Sequence, residues 1–309
     1  MAGQTGRIRG VVAAAATPLK PDFSIDRERL VAHCAQLLKR GCDGINLLGT
    51  TGEATSFPLE ERLGAMEAIA RSNLPLDRFM VGTGAASLAD AVRLTAAARA
   101  LGFAGALLLP PFYYKGIDDA SLEAYVATVI ERVGPKGLKL YLYHFPQNSG
   151  VPYPIAVVER LRRRFPEQLL GLKDSSGDLA YSGELARRLS GFDVFPSAEG
   201  ALAEAKTLGF AGCISATTNV TGPFAAEGWK ALGTPQGKEA IERAAAVRAA
   251  LSAYPLIACV KSALADLYGD GAWMRLAPPL RALNPDEQQG LKAKLAATAY
   301  GSLREPAWA

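Results

Sequence analysis

The chain has 309 residues, 49% hydrophobic and 21% charged, ordinary for a compact soluble protein and enough for one large α/β barrel or two ordinary domains. A formal charge of +4 is too small to argue for nucleic acid, and the densest basic run, Arg162-Arg163-Arg164, reads as the solvated face of a helix. Cys34, Cys42, Cys213 and Cys259 lack metal-type spacing and only His33 and His144 are present, which excludes a histidine-rich metal site and suggests a reducing, cytoplasmic setting without disulfides.

The first apolar run, Val11–Ala16, is too short for a membrane span. It leads into Thr17-Pro18-Leu19-Lys20 rather than a cleavage site, so it reads as a strand and not as a signal peptide. A helix follows, with Leu30, Cys34, Leu37 and Leu38 at helical spacing, Asp26 as its cap and Gly41 as its stop. Gly44–Leu48 reads as the second strand. Leu59, Leu63 and Met66 form the next apolar stripe, with Pro58 suited to a first turn. Phe79–Gly82 is the third strand, and Ser87 with Asp90 resembles a capping box before Ala91, Leu94, Ala98 and Leu101. Ala104–Leu109, Lys139–His144, Leu169–Lys173, Asp193–Phe195 and Cys213–Ala216 complete about eight runs, mostly a βα unit apart.

Eight βα repeats favour a parallel sheet closed into a (β/α)8 barrel, with a doubly wound sheet as the competitor. Beyond residue 222 strand runs cease and the chain reads as helical. The expected organisation is a barrel over residues 1–222 and a C-terminal helical domain over 223–309, packed on it.

In such a barrel, reactive groups belong at the C-terminal ends of the strands. Gly49-Thr50-Thr51-Gly52-Glu53 follows the second strand; its glycines let backbone N–H groups turn toward a small carboxylate, or simply make a tight turn before the next helix. Pro110-Pro111-Phe112-Tyr113-Tyr114-Lys115 follows the fourth, as a pocket or interface lining or as a rigid turn. Strand alternation puts Tyr141 and Tyr143 on one face and His144 on the other. If that face is the interior, the Tyr143 phenol is placed to carry a proton; otherwise it is a core tyrosine. Lys173 closes an apolar run, with Gly171 one layer below leaving room for its stem. Burial disfavours an ammonium, and a free amine facing a pocket attacks ketones; the alternative is a lysine paired with a carboxylate such as Asp174. Gly82-Thr83-Gly84 has Ser87 where a dinucleotide fingerprint needs its third glycine, so a nucleotide role is set aside.

Taken in order, Thr17-Pro18, Gly49–Glu53, Pro111-Phe112-Tyr113, Tyr143-x-x-Pro146, Gly171-Leu172-Lys173-Asp174 and Gly212-Cys213-Ile214-Ser215 resemble the dihydrodipicolinate synthase / N-acetylneuraminate lyase family of class I, Schiff-base aldolases. The resemblance runs from about Arg9 into the C-terminal helices. It implies a barrel with a helical C-terminal domain in a homotetramer or dimer, with no cofactor and no metal. It implies that Lys173 forms an imine with pyruvate or a pyruvate-derived keto acid and that Tyr143 is the acid/base. Thr50 then links Tyr143 to Tyr113, which in the family reaches in from a neighbouring subunit. Thr51, with Gly49 and Gly52 amides, holds the substrate carboxylate, and Ile214 lines the pyruvate side.

Where the lysine-pathway synthase carries an arginine, five positions after the strand-five tyrosine, this chain has Asn148, a neutral amide. The segments around Asn148 and Ser175 look closer to the 4-hydroxy-2-oxoglutarate aldolase branch. Asn148 and Ser175 are then candidates for the distal part of the substrate, and Glu199 follows Ala198 where the family often has glycine. The resemblance therefore implies pyruvate plus an aldehyde from a small 4-hydroxy-2-oxo acid or a 2-keto-3-deoxy sugar acid. A condensing synthase, a keto-acid dehydratase and a non-catalytic keto-acid binder stay open.

Overall fold

The computed structural model describes residues 6–304. Eight strands alternate with helices: β1 (Gly10–Ala14), β2 (Gly44–Leu47), β3 (Phe79–Gly82), β4 (Gly105–Leu108), β5 (Leu140–His144), β6 (Leu169–Asp174), β7 (Asp193–Pro196) and β8 (Gly212–Ser215). Every ladder is parallel, in the order β7-β6-β5-β4-β3-β2-β1-β8. At the seam, the Ala211 N–H donates to the Val194 carbonyl at 2.9 Å, so the sheet curls into a (β/α)8 barrel rather than staying open.

Strands buried on both faces need apolar residues at nearly every position, which is why these runs are continuous rather than alternating. The pleat then sorts them. Val12, Ala14, Met80, Leu107, Tyr141, Phe195 and Ile214 fill the interior, while Val11, Ala13, Val81, Leu142, Leu172 and Val194 pack outward beneath the helices. Tyr141 and Tyr143 both face inward, and His144 faces out, stacked on Tyr181 with ring centroids 4.4 Å apart. The space at Gly171 goes to the Tyr141 ring rather than to the Lys173 stem. A Cβ there would lie 2.7 Å from that ring and 2.2 Å from the Asp193 carbonyl oxygen.

Asp26 caps the helix Arg27–Lys39 by accepting the Arg29 N–H at 3.1 Å, and Gly41 follows the Arg40 C-cap with φ of 100°. Pro58 is the extended N-cap of Leu59–Arg71 rather than a residue of its first turn. Ser87 caps Leu88–Leu101 through the Asp90 N–H. After β8, the helix Thr218–Lys230 completes the eighth βα unit, and residue 222 lies inside it. Helices Pro235–Leu251, Leu256–Tyr268 and Pro285–Ala296 follow. Among the described residues no strand follows Ser215 and no single helix is long and apolar enough to cross a membrane. All four cysteines are buried and free.

Buried polar contacts tie the later helices to the barrel. Lys261 forms an ion pair with Glu53, both side chains without exposure, and Glu53 also accepts the Ala277 N–H at 2.9 Å. Asn219 accepts the Ala16 N–H at 3.0 Å and donates to the Ala14 carbonyl at 2.8 Å, which fixes its amide and makes its oxygen an acceptor toward His33 Nε2, 2.8 Å away. His33 Nδ1 is then the acceptor for the Tyr268 hydroxyl at 2.8 Å.

Candidate active site

A cavity of about 510 Å³ opens at the C-terminal ends of the strands, the expected place for chemistry in this architecture. Lys173 and Tyr143 reach it from adjacent strands at paired positions of β6 and β5. Lys173 is only 4% exposed, and its Nζ sits 4.3 Å from the centroid of the Tyr143 ring. Among the described residues Lys173 has no ion-pair partner. The next residue, Asp174, lies on the opposite face of β6, where its carboxylate accepts the Ser182 hydroxyl at 2.7 Å and the Ser176 N–H at 2.8 Å. The carboxylate that could have tied down the lysine is thus engaged elsewhere.

The Tyr143 phenol oxygen has Thr50 Oγ1 at 3.3 Å and Ser175 Oγ at 3.5 Å. Burial pushes this phenol up, but the Lys173 charge and hydrogen bonds with Ser175, Thr50 and Lys173 pull it down. The net direction is below the ordinary tyrosine value. A phenol lowered this way releases its proton more readily than a free tyrosine, so more phenolate is present to take one up.

Gly49–Glu53 makes the tight turn that is one of its two sequence readings, and it borders the cavity. It is a tight turn, with the Glu53 N–H donating to the Thr50 carbonyl at 3.0 Å and Leu48 and Glu53 in the left-handed region at either end. It also presents Thr50 and Thr51 to the cavity. Gly52 lies so close to β1 that a Cβ would sit 3.0 Å from the Ala15 carbonyl and from Thr17 Oγ1, while Gly49 backs onto Asn46. Thr17 donates to the Gly52 carbonyl at 2.8 Å, which holds the turn in place.

The model of the Dihydrodipicolinate synthetase family matches residues 7–298, nearly the whole chain. The chain belongs to this family. An uncharacterized DapA-like lyase of Chloroflexus aurantiacus is 34% identical over 212 residues, 68% of this chain and 70% of that protein. A 4-hydroxy-tetrahydrodipicolinate synthase of Thermus thermophilus is also 34% identical, over 68% of this chain and 69% of that one. The crystal structure of dihydrodipicolinate synthase from Agrobacterium tumefaciens superposes with a TM-score of 0.86 at 28% identity, covering 94% of this chain and 99% of that one. Membership in the dihydrodipicolinate synthetase family makes the chain an enzyme of the lyase and aldolase type. None of these three relatives carries the name of a 4-hydroxy-2-oxoglutarate aldolase.

The other residues singled out in the sequence divide in two. Asn148, on the turn Pro146–Ser149, lines the cavity with Ser175 and Ile214. Tyr113 lies outside it, 73% exposed and packed edge-on against Tyr114. Glu199, expected at the substrate, is instead fully buried behind the wall, because its carboxylate gathers the hydroxyls of Ser215, Thr217 and Thr221. Sequence reasoning missed the C-terminal side of the cavity, where Arg248, Leu256, Leu276 and Arg281 stand. No signal in the sequence marked them: Arg248 meets the buried Glu199 at 3.3 Å only in the folded chain.

Proposed function

We propose that this chain is a pyruvate-releasing aldolase that uses Lys173 as a Schiff-base lysine on a small 4-hydroxy-2-oxo acid, with 4-hydroxy-2-oxoglutarate or a 2-keto-3-deoxy sugar acid as the substrate class. The observation that carries this reading is the buried lysine, without an ion-pair partner among the described residues, set against a phenol held below its ordinary pKa. The Lys173 amine adds to the keto carbon and water leaves, giving a protonated imine. Deprotonated Tyr143 takes the proton of the C4 hydroxyl. The C3–C4 bond then breaks, its electron pair flows into the iminium to leave an enamine, and an aldehyde departs. Protonation at C3 and hydrolysis of the imine release pyruvate and restore the amine.

Thr50 orients the phenol, Thr51 and the Gly49–Gly52 turn hold the C1 carboxylate, and Ile214 packs on the pyruvate carbons. Asn148 and Ser175 take the distal polar groups. Tyr113 enters a neighbouring subunit's cavity in a homodimer or homotetramer, consistent with its exposure here. Four free buried thiols fit a cytoplasmic setting.

A condensing synthase is the second reading, because a relative carrying that name is 34% identical. The neutral Asn148 weighs against it. One assay separates them: incubation with 4-hydroxy-2-oxoglutarate should release pyruvate, read by coupled reduction to lactate. Absence of pyruvate, together with a cyclised product from pyruvate and aspartate semialdehyde, would replace the aldolase with the synthase.

A further inference from the structure

Arg248 brings a guanidinium to the cavity wall from the helix Pro235–Leu251. One of its nitrogens, Nη1, is fixed by Glu199 Oε2 at 3.3 Å, Ser215 Oγ at 3.0 Å and Thr217 Oγ1 at 3.0 Å. Glu199 cannot swing away, since it also accepts Thr217 at 2.6 Å and Thr221 at 2.5 Å and is wholly buried. Among the described residues Nη1 is the only nitrogen of Arg248 that is hydrogen-bonded, so Nε and Nη2 are unoccupied donors on a side chain that is 24% exposed. The second guanidinium on the wall, Arg281, is different. It is held bidentately by Glu287 at 2.7 and 2.8 Å.

A guanidinium anchored through one nitrogen keeps a rigid fork for a planar anion. We propose that Arg248 binds a carboxylate at the end of the substrate remote from the keto carbon. The preferred substrates are then dicarboxylic 2-oxo acids rather than hydroxyl-ended sugar acids. This rests on the imine reading above: Lys173 holds the keto end and Arg248 reads the other. Glu199 is the positioning residue that aims the fork.

The test is borohydride trapping of oxo acids on Lys173, quantified by mass spectrometry. Wild type is titrated with 2-oxoglutarate and with 2-oxopentanoate, its counterpart without the second carboxylate. Arg248→Lys and the double variant Glu199→Gln/Arg248→Gln are titrated in parallel; the second mutation spares the fold an unpaired buried carboxylate. Wild type should trap 2-oxoglutarate at the lower concentration. That preference should shrink by about tenfold or more in the double variant, as expected for a charge-assisted pair, and less in the lysine variant. An unaltered preference, an equal change for both acids, or no preference in wild type would overturn the assignment. Pyruvate in wild type is the control: without a Lys173 adduct the imine reading itself falls, whereas a normal adduct with no charge selectivity removes only Arg248.

Discussion

At the residue scale, the site is a lysine and a phenol from neighbouring strands, the lysine acting on the phenol. Tyr143 is lowered although it is buried, because Lys173 and two hydroxyls outweigh desolvation. Replacing it by phenylalanine removes the proton carrier without disturbing the ring packing on Phe145. Tyr143→Phe should therefore lower turnover by roughly two to four orders of magnitude while leaving the fold unchanged; a rate within a few-fold of wild type would remove the acid/base role. Lys173, Tyr143 and Thr50 were legible in the sequence because strand alternation and the loop glycines fix where such residues point. Arg248 was not. It sits in an alanine-rich helix with one other arginine, Arg243, and only the fold brings it to Glu199 and the cavity. Glu199 itself was legible as special, but its burial behind the wall depends on Ser215, Thr217 and Thr221 converging from the end of β8 and the helix after it.

At the element scale, the strands were legible to within about two residues because parallel strands buried on both faces leave continuous apolar runs. What the pattern could not supply is cross-strand packing, such as the Tyr141 ring lying over Gly105 and Gly171. The joints between elements carry two further expectations. Lys261→Met would leave the Glu53 carboxylate buried without its cation and should cost about 3–5 kcal/mol, much of it recovered by adding Glu53→Gln. Urea unfolding midpoints check this, and a single variant as stable as wild type would contradict it. His33 is pushed down to about 4 by burial, against the hydrogen bond it donates to Asn219. The unfolded chain binds a proton on this group near pH 6.5, which the folded chain refuses until about pH 4. Its contribution to stability is therefore full above about 6.5 and is lost as pH falls toward 4, about 2 kcal/mol between pH 7 and pH 5. Comparing unfolding midpoints at those two pH values, His33→Gln should show a smaller drop than wild type; equal drops would refute the role.

At the scale of the whole molecule, the eight repeats announced the barrel, but closure depends on contacts the sequence does not display. Gly212, at φ of 144°, meets Gly10 so closely that a Cβ would lie 1.9 Å from the Gly10 carbonyl oxygen, and Ala211 bridges to β7. The later helices read as a separate extension in sequence, yet in space they form one wall of the cavity and pair with its loops through Lys261 and Arg248. The proposed assembly is the last level, and the exposed Tyr113 tests it. If its ring completes a neighbour's site, Tyr113→Ala should lower turnover by roughly 10–100-fold, and refolding it together with Lys173→Ala subunits should restore part of the activity. No recovery in the mixture would contradict the exchange between subunits. The central claim is covalent chemistry at one side chain, and one measurement addresses it directly. The protein is incubated with pyruvate and borohydride, digested and mapped by mass spectrometry. A reduced pyruvate adduct is expected on Lys173 and absent from Lys173→Ala. Folded protein in excess pyruvate with no adduct at that residue would contradict it.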